Sequence, residues 1–342
     1  MNVLFIGNGI NRFAGIVPGW YDLFSKAVKI DDFQMKKSLT PTMEYDLNTH
    51  MILDMDPTKK ASDIKRSIAA YLKDIQNGLP KNWVDTIHKQ LMDVAPKTLI
   101  TTNYDYFLEL AADSNFSLGK ASTREILYSK GRFRNSGTHQ VFHIHGEISV
   151  PSSICLGYAH YIGSIQYIRS ELTKAAESGK GFHLHAILKG DEAPVPNRWY
   201  YHFFLDDIYI LGFGMDAAEQ DIWWLLNYRA EQMRLYPGLI KNKIIYLETS
   251  SANDYAPKYA WDDIRNDPEK WHESLAEHIY YEAHKETLER KKTLLETFHV
   301  RVVDCTDPID FDNGADFHKA YSKRYERALA RLRSGCTLTS RG

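Results

Sequence analysis

The sequence has few cysteines and no long apolar segment, and each shortage argues against a class of protein. Only three cysteines occur among the 342 residues, Cys155, Cys305 and Cys336, and no Cys-x-x-Cys pair is present. This argues against a zinc ribbon and a disulfide framework, and it is typical of a reducing cytoplasm. No apolar run approaches the roughly 20 residues of a membrane span, and the segment 1–6 is too short for a signal peptide. We therefore expect a cytoplasmic protein without membrane contact.

The chain also lacks a strong charge of either sign. Its formal net charge is -2 at pH 7, so the field of the whole protein gives no reason to expect nucleic acid or an acidic membrane as partner. Hydrophobic residues make up 44% and charged residues 25%, as in a globular protein that buries a core without disulfides or metal. We interpret residues 1–342 as a single domain. The 21 tyrosines indicate large contact surfaces within the domain or between subunits, and we expect a homo-oligomer.

Four hydrophobic runs end in glycine or polar residues. The four clusters are, in chain order, Gly7-Asn8-Gly9, Thr101-Thr102-Asn103-Tyr104-Asp105, His145-Gly146 and Gly212-Phe213-Gly214-Met215-Asp216. The apolar runs before them are typical of buried strands. The carboxyl ends of parallel strands meet at one edge of an open α/β sheet, where ligands bind. The sequence therefore predicts that a crevice at this edge holds a nucleotide.

The periodicity of the chain predicts an α/β fold, a Rossmann-like parallel sheet with helical insertions. Core strands are expected near 2–7, 97–103, 141–147, 207–214, 243–249 and 299–304, and helical insertions at about 30–95, 155–205 and 252–297. In the first insertion, the apolar spacing predicts a helix over 63–79 with Ser62 as its N-cap. We also predict a strand at 124–128, a polar turn at 131–137 and a loose tail from residue 334.

The first cluster is a glycine turn that matches only part of the dinucleotide fingerprint. Gly7 and Gly9 give a G-x-G pattern, but Arg12 stands where the fingerprint has its third glycine. Glycines at such a turn let backbone N–H groups approach a pyrophosphate without a Cβ in the way. A simple turn explains the same residues. The position after the first strand favours the nucleotide interpretation, with Asn8 and Asn11 as further contacts.

Two histidines occupy alternate positions in the third run. His143 and His145 are two residues apart, so strand alternation places them on the same face. Such a pair could bind a metal ion, but no third ligand follows at a recognisable spacing. We therefore predict no metal site.

Each candidate side chain also has a purely structural explanation. Asn103 could be a turn residue bonded to its own backbone, and His145 could be a satisfied sheet histidine. Asp105 could cap the helix that follows it. Asp216 could likewise cap the next long helix, and we prefer that interpretation. Glu248 lies where a dinucleotide site places an acceptor for the adenosine ribose, although a carboxylate at a strand end is often only solvated.

The run ends, in this order and at this spacing, resemble the sirtuin family, and more closely its bacterial sirtuin-like branch found in antiphage defence. The matching residues are Gly7-Asn8-Gly9, Thr102-Asn103-Tyr104-Asp105, His145-Gly146, and Gly212-Phe213-Gly214 followed by Asp216 and Asp221. The resemblance covers the core strands, less than two thirds of the chain. It implies a parallel sheet of the sirtuin type.

The cysteine count distinguishes the two branches. Sirtuin deacylases carry a four-cysteine zinc module, which this chain cannot build, whereas the sirtuin-like defence proteins lack the module and hydrolyse NAD+. The resemblance therefore implies NAD+ as substrate, nicotinamide and ADP-ribose as products, no zinc, and a role in abortive infection. We see no ligand-sensing domain, so control is expected from assembly or from a partner chain. A helicase-like ATPase is one known type of partner in that branch.

The residue types suit this chemistry. Cleavage of the nicotinamide–ribose bond passes through an oxocarbenium-like transition state and needs a placed water and hydrogen bonds to the ribose. The amide of Asn103 can accept from a ribose hydroxyl and donate to a water at once. His145 suits a base or a ribose partner, and the resemblance assigns Asp105 to the nicotinamide carboxamide. The residues predicted to bind NAD+ are Gly7, Asn8, Gly9, Asn11, Asp105, Gly212, Gly214 and Glu248.

Three other functions compete with NAD+ hydrolysis. A non-catalytic subunit that binds NAD+ or ADP-ribose to regulate a partner need not keep both Asn103 and His145. An NAD-dependent oxidoreductase is disfavoured by Arg12 at the third glycine position and by the lack of an acidic residue closing a second strand. An NAD-dependent protein deacylase is disfavoured by the missing zinc cysteines. The sequence therefore favours NAD+ hydrolysis.

Overall fold

Seven strands form one sheet. A computed structural model describes residues 3–17, 19–28, 40–79, 87–119, 127–177, 179, 181–255, 268–307 and 317–338. The strands are β1 (Val3–Ile6), β2 (Thr98–Thr101), β3 (Phe133–Ser136), β4 (His139–His143), β5 (Ile208–Leu211), β6 (Ile244–Glu248) and β7 (Val300–Asp304). A strand lies at each of the six core positions that the sequence predicts.

The strand order is that of a doubly wound sheet. The strands lie in the order β3-β4-β2-β1-β5-β6-β7, and β3 alone is antiparallel to its neighbour. The six parallel strands, counted along the chain, therefore follow the Rossmann order 3-2-1-4-5-6. This confirms the predicted α/β fold with a Rossmann-like, mostly parallel sheet. The order reverses between β1 and β5, which is where such sheets bind ligands.

Twelve α-helices lie in the described part of the chain. They are α1 (Gly9–Phe13), α2 (Trp20–Val28), α3 (Pro41–Met55), α4 (Ala61–Gly78), α5 (Ile87–Met92), α6 (Phe107–Ala112), α7 (Tyr158–Thr173), α8 (His183–Lys189), α9 (His202–Leu205), α10 (Gln220–Leu235), α11 (Pro268–Thr297) and α12 (Phe317–Leu338).

The helices cover both faces of the sheet, because successive strand side chains point to opposite faces. Val3 and Phe5 of β1 contact the core formed with α7, α8, α9 and α10. Leu4 and Ile6 contact the other core, formed with α5, α6 and α12. A third cluster joins α2, α3 and α4 to the polypeptide that follows β2 and β4. The helices of the segment 155–205 therefore pack in the main core, against one face of the sheet.

Helix α4 in the first helical insertion begins at Ala61, two residues earlier than predicted. Helix α4 has Lys60 as its N-cap, and the Asp63 carboxylate accepts a hydrogen bond from the Lys60 backbone N–H at 2.7 Å. The predicted cap, Ser62, is therefore already inside the helix. The parts of the predicted insertion at 30–39 and 80–86 lie outside the described residues.

Strand β3 corrects the prediction of a polar turn at 131–137. Arg132 and Arg134 give this segment its polar character, but both are buried and bond the carboxylate of Glu147 at 2.8 and 2.7 Å. Burial alone would raise the pKa of Glu147, but the arginine hydrogen bonds and nearby positive charge lower it to about 2. Neutralised by this pairing, the polar segment can form an edge strand. The strand predicted at 124–128 falls mainly outside the described residues.

The C-terminal helix also differs from the prediction. Helix α12 continues to Leu338, so residues 334–338 are helical rather than part of a loose tail. Arg324 of α12 pairs with Asp254 at 2.9 Å and donates to the backbone carbonyl of Thr249. This attaches α12 to the loop after β6. No helix within the described ranges has both the length and the apolar character needed to cross a bilayer.

The turns after β1 and β5 touch each other closely. A Cβ on Gly7 would lie 2.5 Å from the Cα of Phe213 and 2.6 Å from the carbonyl oxygen of Gly212. The Gly9 N–H donates to the same carbonyl at 2.7 Å. Gly212 has a φ of 64°, a conformation that favours glycine. These glycines are therefore required for the two turns to meet, whatever the crevice binds.

We expect Gly7→Ala to destabilise the protein by about 1–3 kcal/mol, because the added methyl group meets backbone atoms that cannot move aside cheaply. Thermal unfolding followed by circular dichroism measures this as a lower apparent Tm. Gly78→Ala is the matched control, since a Cβ there meets nothing within 4 Å. Equal Tm values for the two variants would contradict the packing argument.

Candidate active site

A cavity of about 380 Å³ opens at the carboxyl edge of the sheet, around the point where the strand order reverses. Its volume is in the range of small-molecule sites. The turns after β1, β2, β5 and β6 contribute to its wall, together with His145 after β4 and Tyr325 of α12. The predicted crevice is therefore present, and it lies where the doubly wound topology places a ligand.

The cavity brings most of the predicted site residues together. Seven of them line it: Asn8, Gly9, Asn103, Asp105, His145, Gly212 and Gly214. Gly7, Asn11 and Glu248 are not in its wall. Gly7 packs against the turn after β5, and Asn11 is fully buried behind the wall. Glu248 pairs with Lys291 at 2.7 Å and accepts from the Ser250 N–H. Its predicted contact with the adenosine ribose stays a prediction.

Asn103 is held by its backbone, so its side chain stays available. Its N–H donates to the Thr101 hydroxyl at 3.1 Å, and its carbonyl lies 2.9 Å from Nδ1 of His143. The amide nitrogen makes one long contact with the Gly7 carbonyl at 3.5 Å. Among the described residues, nothing hydrogen-bonds to the buried Oδ1 of Asn103. A buried acceptor without a donor is costly in a protein, and a substrate hydroxyl or a water in the cavity would satisfy it.

His143 and His145 do not share a face, which corrects the prediction from strand alternation. Strand β4 ends at His143, and the chain turns before His145. The His143 ring lies between the Asn103 carbonyl and Glu109, 2.6 Å from its carboxylate. Burial alone would lower the pKa of His143, but the Glu109 charge and hydrogen bond raise it. His143 is therefore a fixed donor that positions Asn103 from behind.

Both carboxylate oxygens of Asp105 accept hydrogen bonds at the back of the cavity. Oδ2 accepts from the Asn11 amide at 3.0 Å, and Oδ1 accepts from the Phe107 N–H at the start of α6. Tyr106 takes the N-cap position of α6, so the predicted cap role of Asp105 is wrong, although Asp105 bonds the first N–H of the helix and lies in the cavity wall. Burial raises the pKa of Asp105 to about 7. His88 orients Asn11 in turn, with 2.7 Å between Nε2 and the Asn11 Oδ1.

His145 lies between two carboxylates from the start of α10. Its Nε2 is 3.0 and 3.2 Å from the two oxygens of Asp221, and its Nδ1 is 3.6 Å from Oε2 of Glu219. Asp221 also accepts from the Ser164 hydroxyl and from the Ile222 N–H. Burial alone would lower the pKa of His145, but the charge and hydrogen bond of Asp221, with Glu219, raise it.

The imidazole of His145 and the two carboxylates beside it could also be considered as metal ligands. Ligand atoms of His145, Glu219 and Asp221 all lie within 4.8 Å of one another. The two carboxylates, however, approach opposite nitrogens of the ring. A cation bound to all three would have to break the His145–Asp221 hydrogen bond. The arrangement fits a protonated imidazole with two counter-ions better than a metal centre.

The sequence did not reveal the roles of Glu219 and Asp221. Asp221 was named only as a match to the sirtuin family, and Glu219 was not singled out. The sequence feature that could have indicated them is their position shortly after the fourth cluster, residues 212–216. Asp216 is not the N-cap of α10, because Glu219 takes that position. The Asp216 side chain instead accepts from the Ala218 N–H at 2.8 Å in the preceding turn.

We expect Asp221→Asn to lower the pKa of His145, because the amide supplies no charge to oppose the effect of burial. NMR of protein with 15N-labelled histidine measures the protonation of the ring, and the signal is assigned with His145→Gln. Asp93→Asn removes an exposed carboxylate and serves as control. A His145 ring that is neutral at pH 6 in the unmodified protein would contradict the assignment.

Comparison with known protein families agrees with this geometry. Residues 97–188 match the family model described as a SIR2-like domain. The match covers about a quarter of the chain, from just before β2 into α8, and it includes Asn103, Asp105 and His145. No curated protein matches the chain. The match supports a sirtuin-like family for this protein and, more broadly, an NAD-related activity.

Proposed function

We propose that the protein is an NAD+ hydrolase that cleaves the nicotinamide–ribose bond to give nicotinamide and ADP-ribose. The observation that carries the proposal is the free, buried Oδ1 of Asn103 in a cavity at the switch point of a doubly wound sheet. Asn103 also belongs to the SIR2-like segment. NAD+ is the substrate in this proposal, and no zinc takes part.

The residue types in the cavity wall support this proposal. Positive charge develops on the ribose as the nicotinamide–ribose bond breaks. The enzyme must therefore stabilise this charge electrostatically and place a water for attack. The Asn103 amide offers an acceptor that is already desolvated and therefore needs little reorganisation. Asp105 lies in the same wall and, when ionised, would accept from the nicotinamide carboxamide. Arg12 also lines the cavity and offers the positive charge that suits a pyrophosphate.

The wider biological role rests on the resemblance to the sirtuin-like defence proteins. We propose that the protein is an effector of abortive infection, in which loss of NAD+ stops the infected cell. A homo-oligomer and a helicase-like ATPase partner belong to the same proposal. A regulatory subunit that binds NAD+ or ADP-ribose without cleaving it is the alternative, and it predicts binding without turnover.

We expect the purified protein to convert NAD+ into nicotinamide and ADP-ribose, and Asn103→Ala to lose at least about 10²-fold in rate. Chromatographic separation of the products over time measures both. Asn115→Ala is the matched control, because Asn115 lies in an exposed turn after α6. Equal rates for Asn103→Ala and the unmodified protein would rule out this site.

If the purified protein does not consume NAD+, a second measurement is needed. Calorimetric titration with NAD+ then tests the nucleotide site, since a hydrolase awaiting an activator and a regulatory subunit are both expected to bind NAD+. Addition of the partner chain or of candidate activators distinguishes those two. Absence of NAD+ binding would contradict the nucleotide site itself.

A further inference from the structure

Glu219 is the one carboxylate of the described cavity wall whose position suits proton transfer. Glu219 is 8% exposed. Its carboxylate has a hydrogen bond from the Tyr161 side chain that lowers its pKa, and its Oε2, 3.6 Å from Nδ1 of His145, lacks a hydrogen-bond partner among the described residues. Of the other wall carboxylates, Asp105 bonds Asn11 and the Phe107 N–H, and Asp254 pairs with Arg324. Asp216 is exposed to solvent. Glu219 thus combines burial with a free oxygen.

His145 cannot readily take a proton from a substrate in this arrangement. A protonated imidazole donates from both nitrogens and has no acceptor left. The Asp221 carboxylate on Nε2 and the Glu219 carboxylate facing Nδ1 both favour that protonated form. Asp221 is itself fully buried and already accepts from Ser164 and the Ile222 N–H. The base for the reaction must therefore be sought beside His145 rather than on it.

We propose that Glu219 is a catalytic residue that accepts the proton of the attacking water, and that His145 is its cationic partner. The proposal rests on the proposed NAD+ hydrolysis. The water oxygen bonds to C1′ of the ribose while the bond from C1′ to the nicotinamide nitrogen breaks. The electron pair of that bond neutralises the pyridinium. One water proton moves to the Glu219 carboxylate and is later released to solvent, so the products are nicotinamide, ADP-ribose and one proton.

The charge of Glu219 also suits the substrate. Burial raises the pKa of Glu219 to about 7, against the lowering effect of the positive His145. The charged or titratable groups that face Glu219 are His145, Asp216, Asp221, Tyr104, Cys155 and Tyr161. A bound nicotinamide riboside adds a positive charge, which favours the ionised carboxylate. An ionised Glu219 in turn stabilises the developing oxocarbenium ion.

Glu219→Gln tests the role through the rate and its dependence on pH. We expect the hydrolysis rate to fall by about 10²- to 10⁴-fold, the usual effect of losing a general base. In the unmodified protein kcat/KM should rise with pH around 7, because the base must be ionised, and Glu219→Gln should lose this rise. Glu231→Gln, which alters an exposed carboxylate on the same helix, should keep both the rate and the profile.

Chemical rescue separates proton transfer from a structural role. Formate added to Glu219→Ala supplies a small carboxylate to the space left by the side chain, and we expect it to restore part of the turnover. It should not raise the rate of Asn103→Ala, in which the base is still present. A Glu219→Gln variant with the unmodified rate and pH profile would overturn the proposal while leaving NAD+ hydrolysis intact.

A binding measurement covers the case of a protein that awaits an activator. Titration with NAD+ in buffers of different ionisation enthalpy, at pH 6.5, counts the protons released on binding. We expect the unmodified protein to release more protons than Glu219→Gln, because the positively charged nicotinamide favours an ionised Glu219. Equal release by the two proteins would overturn the proposal. Failure of the unmodified protein to bind or consume NAD+ would instead remove the proposed function.

Discussion

The contact between the turns after β1 and β5 is the constraint on which the rest of the structure depends. Both strands lie at the centre of the sheet, and the chain leaves them at the same level, since Ile6 is in register with Leu211. Glycines at positions 7 and 9 let the two backbones meet. Strands on either side are added in opposite directions from this pair, so a crevice forms above it. The cavity is therefore a product of topology before any side chain is considered.

Buried charges define the chemistry of the cavity, and each is held by a partner from a distant part of the chain. His143 is paired with Glu109, and His145 with Asp221, 76 positions away. Such pairs are costly to bury unless they are fully bonded. Next to these pairs, among the described residues, the buried Oδ1 of Asn103 and Oε2 of Glu219 have no hydrogen-bond partner, and both residues line the cavity.

The fold could be predicted from the sequence because its signals are local. Apolar runs at 3–6, 98–101 and 208–211 read as buried strands without knowledge of their neighbours. Asn103 and His145 were identified because they follow such runs directly. The pairings could not be predicted in this way. Sequence spacing does not show that Arg132 and Arg134 pair with Glu147. The polar segment was therefore predicted as a turn, and β3 was missed.

The same limit applies to the cavity wall. The sequence placed Asn11 in it, but a hydrogen bond to Asp105, 94 positions away, draws Asn11 behind it. Glu219 was missed as a site residue because its importance comes from His145, a contact that only the folded chain makes. Local patterns therefore indicated which strands end at the cavity, and long-range contacts decided which side chains face it.

The attachment of α12 has a consequence for the order in which the protein is assembled. The rings of Phe13 and Tyr325 stack at 5.0 Å, and both residues line the cavity. One wall thus joins residues that are translated more than 300 positions apart. A nascent chain therefore has no complete cavity wall until α12 has left the ribosome, however early the residues of β1 are made.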